Sequence, residues 1–177
     1  MKLKLNQIIP SFVMTILILV VLEILVTTIM PILGIENYKL PFNILIILYI
    51  GFKLETPIVA LLVLGIQICY SFFSIEGWAL GTFAGVIVCM IISYLRDMLH
   101  FNSKFFTIVV TQIFQICWFI IVSILIYLKV ENFDYILGKL GRFLPESLII
   151  SIMAPFFFSL LDRIWKINDR EMLGEEV

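Results

Sequence analysis

Apolar residues occur along the chain in six runs separated by short polar stretches. The runs cover residues 8–33, 40–52, 57–75, 77–95, 105–128 and 144–165. A helix needs about 20 apolar residues to cross a bilayer, and five of the runs reach or approach that length. The run 40–52 is shorter, since at about 1.5 Å per residue it covers only about 20 Å. The pattern predicts an all-α polytopic membrane helix bundle of six transmembrane helices, the second of them short.

Composition favours the same assignment. The 177 residues are 62% hydrophobic and 14% charged, and their mean hydropathy is +1.14. A soluble domain is about 45–50% apolar and about 25% charged. We therefore expect residues 1–177 to form a single integral membrane domain, with a polar cytoplasmic tail at 167–177. The net charge of −1 gives no basic field for nucleic acid. The first run is too long for a signal peptide and is expected to remain as the first span.

The distribution of Lys and Arg predicts the orientation. If all six runs cross and both termini are cytoplasmic, eight basic residues lie inside and four outside. If the run 40–52 does not cross, the split becomes five inside and seven outside. Short cytoplasmic loops are enriched in Lys and Arg, so six spans with both termini inside is the favoured topology. The alternative is that 40–52 enters the membrane and returns on the same side.

The longest connection, "KVENFDYILGKLGRF" at 129–143, mixes charged and apolar side chains. It is predicted to lie on the outer side. Two interpretations remain open for it. It is either an interfacial or partner-facing segment, or a solvated loop whose aromatic side chains lie at headgroup level.

The segment "GWALGTFAG" carries three glycines, Gly77, Gly81 and Gly85, at a spacing of four. This spacing places them on one helix face, where a neighbouring helix approaches to backbone contact. The glycines therefore predict a close packing seam, against a helix of this chain or of another. Leu62, by contrast, is expected to face lipid.

The apolar runs contain one mid-span carboxylate, Glu23, and three glutamines, Gln67, Gln112 and Gln115. A carboxylate at membrane depth is costly and indicates a site. Glu23 is either protonated or paired with one of the glutamines, as a polar clamp between helices or as a ligand or proton site. The chain has no closely spaced Cys or His ligands, no phosphate-binding glycine loop and no catalytic motif. No metal, cofactor or enzymatic activity is expected.

Pro155 is expected to bend the last run. It removes the backbone N–H that would bond to the carbonyl of Ser151, and the residues 156–158, all phenylalanine, are expected to fill the space around the bend. Pro145 and Glu146 suit the first turn of a helix. A backbone N–H has no partner within the helix there, so proline loses nothing, and the positive end of the helix dipole stabilises a carboxylate.

The same run carries a family resemblance. "PESLIISIMAPFFFSLLDRI" resembles the closing segment of the rod shape-determining protein MreD family, in which an apolar helix with small residues is followed by a proline, bulky apolar residues and a basic end. Pro155, Phe156, Phe158, Leu161 and Arg163 occupy that pattern. The short run at 40–52 and the two runs after it are also similar to that family's middle helices.

The resemblance covers roughly residues 40–166, and its motifs are apolar. It departs from the family where Cys69 stands at a position that often carries Asp, so a role for that acid is not transferred. The resemblance implies a non-enzymatic scaffold of the cell-elongation complex in the bacterial inner membrane. Its partners would be an MreC-type periplasmic protein, with RodA, the elongation transpeptidase and MreB in the same complex.

A second function class is the substrate-binding S component of an energy-coupling-factor vitamin transporter. Those subunits also have six spans in a chain of similar length. Their first span typically carries an Ala-xxx-Ala face, whereas the first run here contains no alanine. Neighbouring genes for cell shape or for transporter ATPases would separate the two.

Overall fold

A computed structural model of the chain describes residues 5–32, 34, 38–54, 58–74, 77–95, 104–131 and 133–165. These residues form six α-helices and no strand. The helices are α1 (Leu5–Ile32), α2 (Phe42–Lys53), α3 (Val59–Ser71), α4 (Trp78–Leu95), α5 (Lys104–Val130) and α6 (Phe133–Trp165). Helices α1, α4, α5 and α6 are long and apolar enough to cross a membrane. The predicted all-α membrane helix bundle is confirmed, and the protein is a multi-pass membrane protein. The predicted tail at 167–177 lies outside the described residues.

The short helix α2 lies at the centre of the bundle. Every residue from Phe42 to Phe52 is buried, and α2 contacts all five other helices. A helix that is apolar on all its faces is expected to be enclosed by other helices. Its 12 residues need not match the thickness of the bilayer, because protein rather than lipid surrounds them.

Contacts at the two ends of α2 fix its direction relative to α6. At one end, the backbone N–H of Lys39 donates to Glu146 Oε1 at 2.7 Å, and the Lys39 ammonium reaches the Phe73 carbonyl at 3.4 Å. At the other end, Lys53 Nζ lies 3.3 Å from Asp162 Oδ1. We call them the outer end and the inner end of the bundle, after the predicted orientation in which both termini are cytoplasmic. Since Glu146 and Asp162 are about 24 Å apart along α6, α2 runs through the bundle beside it.

Helix α1 begins at the inner end, where α6 finishes. The Ser11 hydroxyl donates to the Ile164 carbonyl at 3.2 Å, and the Trp165 indole N–H donates to Thr15 Oγ1 at 3.0 Å. Both bonds tie the first turns of α1 to the last turn of α6. Helices α1 and α6 are therefore antiparallel.

Residues 129–130 belong to α5 and residues 133–143 to α6, so the prediction of a solvated loop is wrong, and so is that of a separate interfacial helix; a partner-facing role of this segment stays a prediction. Helix α5 continues to Val130, the chain turns at Glu131 with φ 52°, and α6 begins at Phe133. The ring of Phe143 stacks on Phe119 of α5 with centroids 4.5 Å apart. The two helices thus form one long antiparallel hairpin.

Pro145 and Glu146 lie inside α6 rather than in its first turn, which corrects that prediction. A proline is tolerated within a transmembrane helix because neighbouring groups satisfy the freed backbone. Glu146 instead accepts the backbone N–H of Lys39 in the α1–α2 connection. The hairpin rises 13 residues beyond Glu146, from 146 back to 133, or about 20 Å.

Candidate functional sites: packing seams and buried polar groups

Two of the three predicted glycines lie where α4 packs closely on its neighbours. A Cβ added at Gly81 would lie 2.7 Å from Gln67 Cδ of α3. One added at Gly85 would lie 2.7 Å from Val63 Cγ1 and 3.0 Å from the ring of Trp118. Cβ atoms are not found that close to other atoms, so a side chain at either position requires its neighbour to shift, and the flexible carboxamide of Gln67 can shift more readily than Val63 or the Trp118 ring. The neighbouring helices, α3 and α5, belong to the same chain.

Gly77 does not share this seam, which corrects the prediction of three glycines on one face. It precedes α4, has φ +76°, and an added Cβ would have no atom within 4 Å. Its role is conformational, because the left-handed region favours glycine. The prediction that Leu62 faces lipid is also wrong. Leu62 is 3% exposed, whereas its neighbour Leu61 is 67% exposed.

A polar clamp of four side chains joins α5 to α6. Gln112 Nε2 donates to Ser147 Oγ at 3.0 Å, and Gln115 Nε2 donates to Ser151 Oγ at 2.8 Å. The Ser151 hydroxyl in turn donates to Gln112 Oε1 at 2.7 Å. The two glutamines therefore pair with serines of α6, and the interpretation that they face Glu23 is wrong. The sequence showed the glutamines but gave no sign of which serines they meet.

Glu23 is buried without a hydrogen-bond partner on one oxygen. Its side chain is 5% exposed, and Oε1 has no hydrogen bond to any described residue. Lys39, at the outer end of the bundle, interacts with it electrostatically. Gln67 is similar, since its Nε2 is buried and bonds to none of the described groups. Glu23 is thus a buried carboxylate near the outer end, and no described residue forms a hydrogen bond with its Oε1.

A charged cluster at the inner end was not predicted from the sequence. The Tyr49 hydroxyl donates to Asp162 Oδ1 at 2.9 Å, and Lys53 Nζ lies 3.3 Å from the same oxygen. Tyr49 and Lys53 are four residues apart on α2, so they share a face. The spacing of Tyr49 and Lys53, together with the acidic residue Asp162 near the end of the last run, is the sequence signal that could have predicted this cluster. The neighbouring Arg163, which the family pattern selects, is exposed.

The segment after Pro155 packs on α2. The ring of Phe158 lies 5.5 Å from that of Tyr49 and 6.0 Å from that of Phe52, both in edge-on geometry. Phe157 is also buried, and its neighbour in α2 is Phe42. Helix α6 is continuous through Pro155, and the bend at this residue stays a prediction.

Phe156 corrects part of the expectation that three phenylalanines fill the space around Pro155. Its side chain is exposed, and the ammonium of Lys104 lies 5.8 Å from the centre of its ring. Phe156 therefore belongs to the surface of the bundle, next to the first turn of α5.

No group of three His, Cys, Asp or Glu side chains among the described residues could hold a metal ion. The cysteines Cys69, Cys89 and Cys117 are free. Comparisons with protein families, curated proteins and solved structures returned no match for this chain.

Proposed function

We propose that this protein is an MreD-like scaffold subunit of the bacterial cell-elongation complex. In this role it lies in the inner membrane with both termini cytoplasmic. It holds an MreC-type periplasmic protein in a complex with RodA, the elongation transpeptidase and MreB, and it performs no catalysis of its own.

The observation that supports the proposal most is the polar clamp between α5 and α6. The side chains of Gln112, Gln115, Ser147 and Ser151 are joined by three hydrogen bonds between α5 and α6. Buried polar groups used in this way fix helix positions. The clamp also lies in the segment of α6 that carries the family resemblance, directly before Pro155.

Depletion and capture test the proposal together. Depletion of the protein in its rod-shaped host should round the cells, and the purified full chain should capture the MreC-type protein of the same genome. Pro155→Leu should weaken that capture more than Glu23→Gln, because the shape of the bundle rather than one carboxylate carries the task. Capture that depends on Glu23 but not on Pro155 would contradict the proposal.

The unpartnered oxygen of Glu23 favours the second candidate function, the S component of a vitamin transporter. A buried carboxylate near the outer end of a bundle is a suitable group for a polar ligand. In that case a small vitamin should copurify with the protein, and Glu23→Gln should abolish its binding. Depletion should then reduce vitamin uptake and leave cell shape unchanged, which would overturn the scaffold proposal.

A further inference from the structure

The exposed surface where α5 begins beside α6 carries two cations around an aromatic ring. Phe156 is 70% exposed, and Leu160 and Arg163 are exposed on the same face of α6, four and seven residues further along. Lys104, the exposed first residue of α5, reaches this face, since its ammonium lies 5.8 Å from the centre of the Phe156 ring. We call Lys104, Phe156, Leu160 and Arg163 the basic patch.

The two cations of the basic patch have no acidic partner in the described part of the chain. No carboxylate of a described residue lies within 4.0 Å of the cationic nitrogens of Lys104 or Arg163. Asp162 is the neighbour of Arg163 in sequence, but it faces α2, where it bonds to Tyr49 and Lys53. Cations without a counterion attract anions, and the guanidinium of arginine matches the geometry of a phosphate group. The basic patch therefore suits an anion in charge and in geometry.

The apolar parts of α5 and α6 place the basic patch at one boundary of the membrane. Residues 105–128 carry no charge, and neither do residues 147–161. Exposed lysine and arginine side chains at the ends of such spans extend to the headgroups, because a charge within hydrocarbon is costly. On the membrane side of the patch, Ile152 is 59% exposed one turn before Phe156. The basic patch therefore joins a cationic site at headgroup level to an apolar surface at acyl-chain level.

We propose that the basic patch binds the headgroup of an anionic phospholipid. The lipid phosphate lies between the guanidinium of Arg163 and the ammonium of Lys104. Phe156 and Arg163 are about 10 Å apart along α6, a distance that two long side chains can close around one headgroup. An acyl chain covers the exposed apolar side chains of the patch, which a soluble phosphate could not do. In the predicted orientation this lipid belongs to the cytoplasmic leaflet.

Phe156 is a positioning residue in this site. Its ring attracts the Lys104 ammonium through a cation–π interaction, which limits the positions of an otherwise flexible side chain. The exposed Phe156 and Arg163 of the closing segment thus have a common role at the surface of the bundle. This role does not rest on the proposed function, because lipid binding and capture of a partner protein are separate measurements.

The affinities of two lipids with the same acyl chains test the basic patch. The purified full chain is titrated with palmitoyl-oleoyl phosphatidylglycerol, which is anionic, and with the matching phosphatidylcholine, which is zwitterionic, and native mass spectrometry gives the affinity ratio. The wild-type chain should prefer phosphatidylglycerol. Arg163→Gln and Lys104→Gln should each lower the ratio roughly fivefold, the effect of one basic residue at an anionic surface. Lys129→Gln, which removes an exposed cation at the other end of α5, should leave the ratio unchanged.

A general loss of stability cancels in this ratio, because each variant is compared on two lipids. Phe156→Leu should lower the ratio by about two- to fivefold in the wild-type background and leave it unchanged in the Lys104→Gln background, since the ring acts through the ammonium. Equal binding of the two lipids by the wild-type chain would overturn the proposal, and so would a loss in Lys129→Gln equal to that in Arg163→Gln. Soluble sn-glycerol 3-phosphate should not displace the lipid. Displacement by it would show a site for free phosphate and overturn the lipid as the ligand.

Discussion

At the scale of single residues, α4 packs closely on its neighbours at two glycines. Gly81 lies against the carboxamide of Gln67, and Gly85 lies against Val63 and Trp118. At both glycines the nearest atoms of the neighbouring helices belong to side chains rather than to the backbone. Gly81 is the more informative position, because its neighbour is a buried polar side chain that can be shortened.

Gly81→Leu should lower the free energy of unfolding by about 1–3 kcal/mol or more, the usual cost of overpacking. Thermal or denaturant unfolding of the purified chain measures the change. Leu61→Phe is the control, since Leu61 is exposed on α3 and the change should be mild. In a Gln67→Ala background the smaller substitution Gly81→Ala should be tolerated. A Gly81→Leu chain as stable as the wild type would contradict the seam.

Asp162→Ala should destabilise the inner end of the bundle. It removes the acceptor of the buried Tyr49 hydroxyl and the counterion of Lys53. Leaving a buried polar group without its partner costs about 1–3 kcal/mol, and we expect a loss of stability in that range. Arg163→Ala, one residue away on the exposed side of α6, should change stability by less than about 0.5 kcal/mol. Equal effects of the two substitutions would contradict a specific role of the cluster.

At the scale of helices, the α5–α6 hairpin is joined by hydrogen bonds within its apolar interface. The Ser151 hydroxyl takes part in two of them, as acceptor from Gln115 and as donor to Gln112. Hydrogen bonds between transmembrane helices contribute about 0.6 kcal/mol each on average. Two bonds that share one hydroxyl make this residue the centre of the clamp.

Ser151→Ala should therefore lower the free energy of unfolding by about 1 kcal/mol. Ser71→Ala is the matched control, because the Ser71 hydroxyl bonds to the Ile68 carbonyl of its own helix and does not join two helices. Unfolding of both variants in the same detergent gives the comparison. A larger loss for Ser71→Ala than for Ser151→Ala would show that the clamp does not stabilise the hairpin.

Hydrophobic periodicity predicted where the helices lie better than it predicted what surrounds each helix. The apolar run at 40–52 gave α2, but its all-round apolar pattern is the same whether lipid or protein surrounds it, so its central place was not predicted. The charges and glycines of 129–143 left a loop and an interfacial or partner-facing segment equally open. Their heptad spacing, which continues into the last run, was the signal that they belong to α6. Gly77 and Gly81 look alike in sequence, and only the start of α4 at Trp78 separates them.

At the scale of the whole molecule, the two ends of the bundle differ in shape. At the inner end, α1, α2 and α6 are tied together by Trp165, Asp162 and their partners. At the outer end, the α5–α6 hairpin stands about 20 Å above α2 and α3. The two ends of the bundle are thus distinguishable, and the side of the membrane on which each end lies can be measured.

The charge distribution predicts that the hairpin projects outside the cytoplasm and that both termini lie inside. A reporter that is active only outside the cytoplasm should therefore stay silent when it is fused after Val177. The same fusion placed at the hairpin turn should be active. An active reporter after Val177 would mean an odd number of crossings.

Cysteine labelling tests the orientation at both ends of the bundle. In a chain whose three native cysteines are replaced by alanine, Leu128→Cys places a thiol on the hairpin and Arg163→Cys places one at the inner end, and both native side chains are exposed. A maleimide that does not cross membranes should label Leu128→Cys on intact spheroplasts and Arg163→Cys only after lysis. Lysed cells, in which both should react, are the control for reactivity. Labelling of Arg163→Cys alone before lysis would place the α5–α6 hairpin in the cytoplasm and contradict the predicted orientation.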